Sequence, residues 1–473
     1  MPRVDQALAE QVLAVAQMRE AEAALIDAGS SVNALMQVAG RGAAEWVWRM
    51  AGRRPVTVLC GPGNNGGDGY VIAEALRARG GEVTVVASAA PASGACRNSR
   101  ALYGGKVLAR EAEVHGEVLV DCLFGSGLNR PLSAGDGALL ARLAAAHPRR
   151  IAIDVPGFVH ADSAALLGDE VAYDLTLALG AWKPAHFLIP ASALMGRLRL
   201  IPIGIDGVPD AAQVIAQPQL SAPAADAHKY RRGMLAVVGG AMPGAAVLAA
   251  IAAQGAGAGY VKLFAEDTGN VPADLVVDHG ALKEVLNDDR NAAVLVGPGL
   301  GRDAAARGRL AVALVDRAAV VLDADALVLL SPHNLGERAA PTIATPHEGE
   351  LGALERAFDL GGAGTKPDRA RALARSSGMI VVAKGPDTVV AAPDGRLAFS
   401  TRATSWLSTA GTGDVLAGTI ASRLAVSAHT GQDAFAAACE GVWLHGEAAR
   451  LCPPGFTAGQ LARMVPAALA ACL

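Results

Sequence analysis

Short apolar runs alternate along the chain with Ala- and Leu-rich stretches of helical period. In the first half, Val56–Cys60, Val83–Ala87, Val118–Asp121, Ile151–Val155 and Leu175–Ala178 predict strands, with helical patterns such as Tyr70–Arg79 and Ala138–Ala146 between them. An amphipathic helix is predicted over Val12–Asp27. The second half repeats the theme with Leu235–Val238, Tyr260–Phe264, Ala293–Val296, Val320–Leu322, Thr342–Ala344, Ile380–Ala383 and Thr388–Ala392. Strands apolar on both faces and joined by helical crossovers predict parallel sheets covered on each side. Gln217–Asp226 is rich in Pro, Ala and Ser with little periodicity, which places a linker there. The expected organisation is two α/β domains, residues 1–217 and 218–473.

Composition narrows the classes. The 473 residues are 52% hydrophobic and 18% charged, which excludes disorder and allows sizeable cores without staples. Lys and Arg number 41 against 45 Asp and Glu, so no basic surplus favours nucleic acid or an anionic membrane. The uncharged stretch Gly233–Val261 is long enough to span a bilayer, but its Gly and Pro residues divide it into a strand, a turn and a buried helix (Ala245–Gln254). The six cysteines, Cys60, Cys96, Cys122, Cys439, Cys452 and Cys472, are scattered without paired spacing. With no signal-peptide pattern, that predicts a reduced, cytoplasmic setting. A homo-oligomer is expected.

In the first half, strand Val56–Cys60 runs into Gly61-Pro62-Gly63-Asn64-Asn65-Gly66-Gly67-Asp68-Gly69 and then a helix. A Gly-rich turn at a helix start suits a phosphate group. Gly61, Gly63 and Gly66 satisfy the dinucleotide pattern, but the second strand ends in Ala87-Ser88-Ala89 and lacks the ribose-binding acid, which disfavours a dehydrogenase. Asp121 and Asp154 close two further strands. Ligands in open α/β sheets bind beyond the carboxyl ends of the strands, so both acids could share a crevice with Asn64–Asp68 as acid/base or cation ligands, or each could cap its turn.

Together, Val15–Glu22, Leu35-Met36, Asn64–Gly69, Asp121–Pro131, Asp154-Val155-Pro156 and Lys183-Pro184 resemble the epimerase domain of the NAD(P)H-hydrate repair enzymes. The resemblance implies a Rossmann-like three-layer α/β domain. It implies that Asn64, Asn65, Gly66, Gly67, Asp68, Gly125, Ser126, Gly127, Leu128, Asn129, Arg130 and Pro131 hold the damaged nucleotide, with Asp154 as the catalytic or substrate-contacting acid. It also implies a potassium ion on Asn65 and Asp121. The family's Asp-x-Pro-Ser-Gly reads Asp154-Val155-Pro156-Gly157-Phe158 here, so Gly157 stands where a serine contributes to the potassium site and offers only its backbone. The family's Thr-Phe before the later lysine is replaced near Leu177-Ala178.

In the second half, Ser408-Thr409-Ala410-Gly411-Thr412-Gly413-Asp414 leads into an apolar helix. The amides of such a turn can cradle a transferring phosphoryl group, and Asp414 beside it can accept a hydroxyl proton or simply cap the helix. Lys384-Gly385-Pro386-Asp387-Thr388, Gly297–Arg302, Asp323 with Asp325, and Thr345–Glu350 add loops suited to a nucleotide. His445 reads as packing, and His347 as a ligand contact. With His228–Gly233 and Gly239–Ala246, these segments resemble the ribokinase-like, ADP/ATP-dependent NAD(P)H-hydrate dehydratase domain. The resemblance implies Ala245, Gly299 and His347 as contacts to hydrated NADH or NADPH (NADHX, NADPHX). It implies Lys384, Gly385, Pro386, Asp387, Thr388 and Gly413 as contacts to ADP or ATP with magnesium, and Asp414 as the catalytic base. The rival reading is a ribokinase-like small-molecule kinase carrying a non-catalytic nucleotide-binding module.

Overall fold

The computed structural model describes residues 10–266, 271–315 and 317–473. The chain divides into two compact units, one ending at Gln213 and the other beginning at Val214. Both are α/β with largely parallel sheets, as the alternation predicts.

The first unit holds a seven-stranded sheet in the order Val107–Leu108, Val83–Ala87, Val56–Cys60, Val118–Cys122, Arg149–Ile153, Leu175–Leu179, Arg197–Ile201. Every pairing is parallel. Chain order reverses between Val56–Cys60 and Val118–Cys122, so the loops that follow these two strands part and leave a crevice at their carboxyl ends. The N-terminal helix runs over Val15–Asp27 rather than from Val12. Gln11 and Val12 instead pair with Gln213 and Ala212, and the Leu13 amide bonds the Trp182 carbonyl.

The predicted turn at Asn64–Gly69 is also corrected. The helix begins at Asn64 and runs to Ala78, with Gly63 as its cap. Its glycines serve packing: a Cβ on Gly66 would lie 1.8 Å from the Gly61 carbonyl oxygen, and one on Gly67 would meet the Met36 sulfur at 2.6 Å.

In the second unit the strands run Leu397–Phe399, Val389–Ala391, Ile380–Ala383, Thr342–Ala344, Ala319–Leu322, Asn291–Val296, Met234–Val238, Tyr260–Phe264, Val276–Asp278. The three nearest Phe399 are antiparallel and the others parallel. The order reverses between Met234–Val238 and Asn291–Val296, which again opens the loops behind them. Helix Pro243–Gly255 packs on the long helix Thr412–Thr430 through small residues. A Cβ on Gly418 would sit 2.0 Å from the Ala249 carbonyl oxygen. Gly418→Ala is therefore expected to force these helices apart and destabilise the second unit by about 1–3 kcal/mol, the usual cost of overpacking. Urea unfolding of the variant measures it.

Candidate functional site

The crevice of the first unit is a cavity of about 600 Å³. Asn64, Asn65, Asp68, the loop Gly125–Arg130 and Asp154 line it, as the sequence implied. Gly66, Gly67 and Pro131 do not line it; the two glycines are spent on helix packing. The side-chain amide of Asn65 is buried with neither its oxygen nor its nitrogen bonded, a cost that a ligand in the crevice would remove.

Asp154 is the centre of the arrangement. Its backbone is left-handed, φ 68°, an unusual state for a residue other than glycine. Buried His186 holds it there, with Nε2 2.8 Å from the Asp154 carbonyl oxygen while Nδ1 accepts the Lys183 amide. Burial, and after it the Lys183 charge, keep His186 neutral by lowering its pKa to about 4. The Asp154 carboxylate accepts from Lys183 Nζ at 2.5 Å and from the Ser126 amide at 2.8 Å. Gly125 allows this approach: a Cβ there would meet Asp154 at 3.0 Å and Asn65 at 3.2 Å. Burial would raise the Asp154 carboxyl, but Lys183 and the hydrogen bonds outweigh it and hold the group below its ordinary value. Asp68 behaves oppositely. Buried, beside Asp154 and Glu22, it accepts no hydrogen bond among the described residues, and desolvation pushes it well above the carboxylate range. Two carboxyl groups in one crevice are thus driven to opposite protonation states.

Lys183, Arg19 and Glu22 belong to the segments that carry the resemblance, but the sequence assigned none of them a role; all three line the crevice, the last two brought there by the N-terminal helix. Asp121 lies behind the crevice rather than in it. Its Oδ1 accepts from the Leu123 amide, and its Oδ2 from the Gly157 amide and the Tyr173 hydroxyl. The potassium ion expected on Asn65, Asp121 and Gly157 does not fit residues placed this way: three donors already converge on Asp121, two of them on Oδ2, and Gly157 brings no side-chain oxygen to the set.

In the second unit, a cavity of about 950 Å³ is lined by Lys384, Gly385, Pro386, Thr388 and Gly413. Asp387 does not line it; its carboxylate turns to Lys366 Nζ at 2.5 Å. Helix Thr412–Thr430 starts at this wall with Gly411, φ 91°, as its cap. The amides of Gly413 and Asp414 fall in the first turn, where a helix has no partners of its own for them. Lys384 stands beside the turn and donates to Asp323 at 2.6 Å, with Glu350 at 3.7 Å. Thr345 donates to the same Asp323 oxygen. The Asp414 carboxyl accepts no hydrogen bond among the described residues. Burial, with Asp323 nearby, raises its pKa to about 6.

The loops at the reversal of strand order bring Ala245 and Gly299 together. The Met242 amide donates to the Gly299 carbonyl, and a Cβ on Gly299 would lie 3.1 Å from that of Ala245. Asp325 braces the same loop through Arg302 and the Gly301 amide. His347, expected as a ligand contact, caps helix Glu348–Ala357: its Nδ1 accepts the Gly349 and Glu350 amides. His445, expected as packing, is buried at the cavity wall and bonds the Thr412 carbonyl through Nε2 at 3.0 Å. Desolvation lowers its pKa to about 4, so it is a neutral donor that anchors the Gly-rich turn.

Two family models match the chain: one described as YjeF-related protein N-terminus over residues 32–185, the other as NAD(P)H-hydrate dehydratase over residues 235–469. A bifunctional NAD(P)H-hydrate repair enzyme of Thermosynechococcus vestitus is 32% identical over 480 residues, covering 93% of this chain and 92% of its own. The chain belongs to the bifunctional NAD(P)H-hydrate repair enzymes. A member from Mycobacterium tuberculosis is likewise 32% identical over 444 residues, covering 88% of this chain and 89% of its own. Among solved structures, the Bacillus subtilis ADP/ATP-dependent NAD(P)H-hydrate dehydratase co-crystallised with ATP/Mg2+ is 26% identical, with a TM-score of 0.47 over 54% of this chain and 95% of its own. In this family member no described helix is long and apolar enough to cross a membrane.

Proposed function

We propose that this chain repairs hydrated NADH and NADPH: its first unit interconverts the two epimers at the hydrated carbon, and its second dehydrates the S epimer at the expense of ADP or ATP. The observation that carries the reading is Asp414, a carboxyl with no hydrogen-bond partner among the described residues, set in the first turn of helix Thr412–Thr430 just behind the cavity-lining Gly413 and near Lys384 and Asp323.

In the second unit the substrate hydroxyl lies toward Ala245 and Gly299 and gives its proton to Asp414. The freed oxygen attacks the terminal phosphorus, and the bond to the rest of the nucleotide breaks. The first-turn amides and Lys384 stabilise the charge on the transferring oxygens. Phosphate then departs from the ring carbon where hydroxide would not, and loss of the neighbouring proton restores the dihydropyridine. Glu350, 3.7 Å from Lys384, is the carboxylate placed to help hold magnesium, which would supply charge neutralisation when bound with the nucleotide. Lys384, Gly385, Pro386, Thr388 and Gly413 would face the nucleotide; His347, whose Nε2 lies 3.4 Å from Glu350 Oε1, is half-committed to its own helix start and would meet the substrate only by its exposed ring edge.

In the first unit the hydrated carbon bears the hydroxyl next to the ring nitrogen. Neutral Asp68 can protonate the departing hydroxyl, and ionised Asp154 can take the proton of water returning to the other face. Epimerisation is therefore expected to fall on the acid side as Asp154 protonates and on the alkaline side as Asp68 ionises. A pH profile on mixed epimers without nucleotide checks both limbs. Six free cysteines fit the proposed cytoplasmic setting, and light scattering tests the expected homo-oligomer.

The experiment that separates repair from a small-molecule kinase follows phosphate and substrate together. Repair releases inorganic phosphate in step with dihydronicotinamide. A phosphorylated product that accumulates would overturn the reading.

A further inference from the structure

We propose that the Tyr173 hydroxyl and the Gly157 amide together occupy, at Asp121, the place for which the family resemblance implies potassium, and that the first unit works without a monovalent cation. Asp121 stands at the end of its strand, is 1% exposed and does not line the crevice. Three donors converge on it: the Leu123 amide at 2.9 Å, the Gly157 amide at 3.0 Å and the Tyr173 hydroxyl at 2.5 Å. A cation at Oδ2 would compete with a buried phenol and a peptide amide, and displacing either leaves a buried donor unsatisfied.

Gly157 and Tyr173 act as a pair. A Cβ on residue 157 would lie 3.0 Å and 3.1 Å from the two Asp121 oxygens, tighter than ordinary contact, so the serine implied by the resemblance would push the carboxylate off by a few tenths of an ångström. The glycine lets the chain close onto Asp121, and the tyrosine fills the far side. Tyr173 is itself fixed by stacking on Phe158, with ring centroids 6.4 Å apart. Asp121 thereby ties three segments together: its own loop, the turn just after Asp154, and the strand entry at Tyr173. The expected role of an ion, to hold the Asp154 turn, is performed by hydrogen bonds. The Asn65 amide is the remaining free donor set, and alone it brings no charge for an ion.

The test uses the full chain in potassium chloride or choline chloride at equal ionic strength. An ion bound only by the folded state raises the melting temperature as its concentration rises. The expected result is superimposable melting curves, no bound thallium(I) by NMR, and equal epimerisation rates in the two salts. A saturable potassium-specific rise in melting temperature, or a bound thallium signal, would overturn the proposal. The kinetic comparison rests on the epimerase reading. The melting and NMR measurements do not, so an inactive first unit still leaves the cation question answered.

Discussion

Replacing Asp414 by asparagine is expected to lower nucleotide-dependent dehydration by about 10²–10⁴-fold, the range for loss of a positioned general base. The protein should remain folded. In the wild type, burial disfavours the charged Asp414, whose pKa rises to about 6. That raised value means the folded state holds the proton more tightly than the unfolded one, so stability is lost as pH rises from the ordinary carboxylate value of 3.8 to about 6, and the full cost is present above that. A neutral asparagine of the same shape removes the cost. Asp414→Asn should thus melt no lower than the wild type at neutral pH while losing activity. For the wild type, kcat/KM should rise with pH through about 6 as Asp414 becomes a base. A variant that keeps activity, or a flat profile across that range, would remove Asp414 from the mechanism.

The second large effect is expected at Lys183. Its ammonium, 1% exposed, donates to Asp154 and to the Leu179 carbonyl at 2.6 Å. Lys183→Met leaves the Asp154 carboxylate buried without its counter-charge, and breaking such a pair costs about 3–5 kcal/mol. The sign of the pH dependence follows. The folded Asp154 has a lowered pKa, so the pair's contribution is present above the unfolded carboxylate range and is lost as pH falls through the folded value. In the variant that acid-side loss should vanish, because Asp154 is then protonated at higher pH. Epimerisation should fall with it, since a protonated Asp154 is no longer a base. Denaturant unfolding of the first unit at several pH values measures the stability, and epimer interconversion the activity. Wild-type stability in the variant would contradict the placement of this pair.

What the sequence made legible follows from where the physics is local. Strands such as Val56–Cys60 and Met234–Val238 are buried on both faces, and the run itself marks their ends. Arg197–Ile201 alternates Arg and Leu as an edge strand, and a search for continuous apolar runs passes over it. Val107–Leu108 and Leu397–Phe399 are too short to carry a pattern and exist through their neighbours. The helix from Asn64 begins in glycines that favour no helix; the contact of Gly66 with the Gly61 carbonyl is tertiary and invisible in the run. His347 could have been read as a cap, because Glu350 three residues on completes a capping box.

The candidate sites divide in the same way. Asp154 and Asp414 stand at strand and helix ends, where the loops of an open sheet place a ligand, so their positions followed from the pattern of elements. Lys183, Glu22 and Tyr173 reach their partners across long stretches of chain, and nothing beside them in the sequence names those partners. Tyr173 decides the fate of the implied potassium site although it is 52 residues from Asp121.

The central claim is that one chain returns both epimers of hydrated NADH or NADPH to the intact coenzyme. The most direct measurement gives the purified protein a mixture of the two epimers, magnesium, and ADP or ATP, and follows the return of dihydronicotinamide absorbance. Complete recovery is predicted, faster than spontaneous epimerisation allows. With Asp154→Asn, recovery should pause at the fraction of the S epimer. No nucleotide-dependent recovery with the wild-type protein would contradict the account.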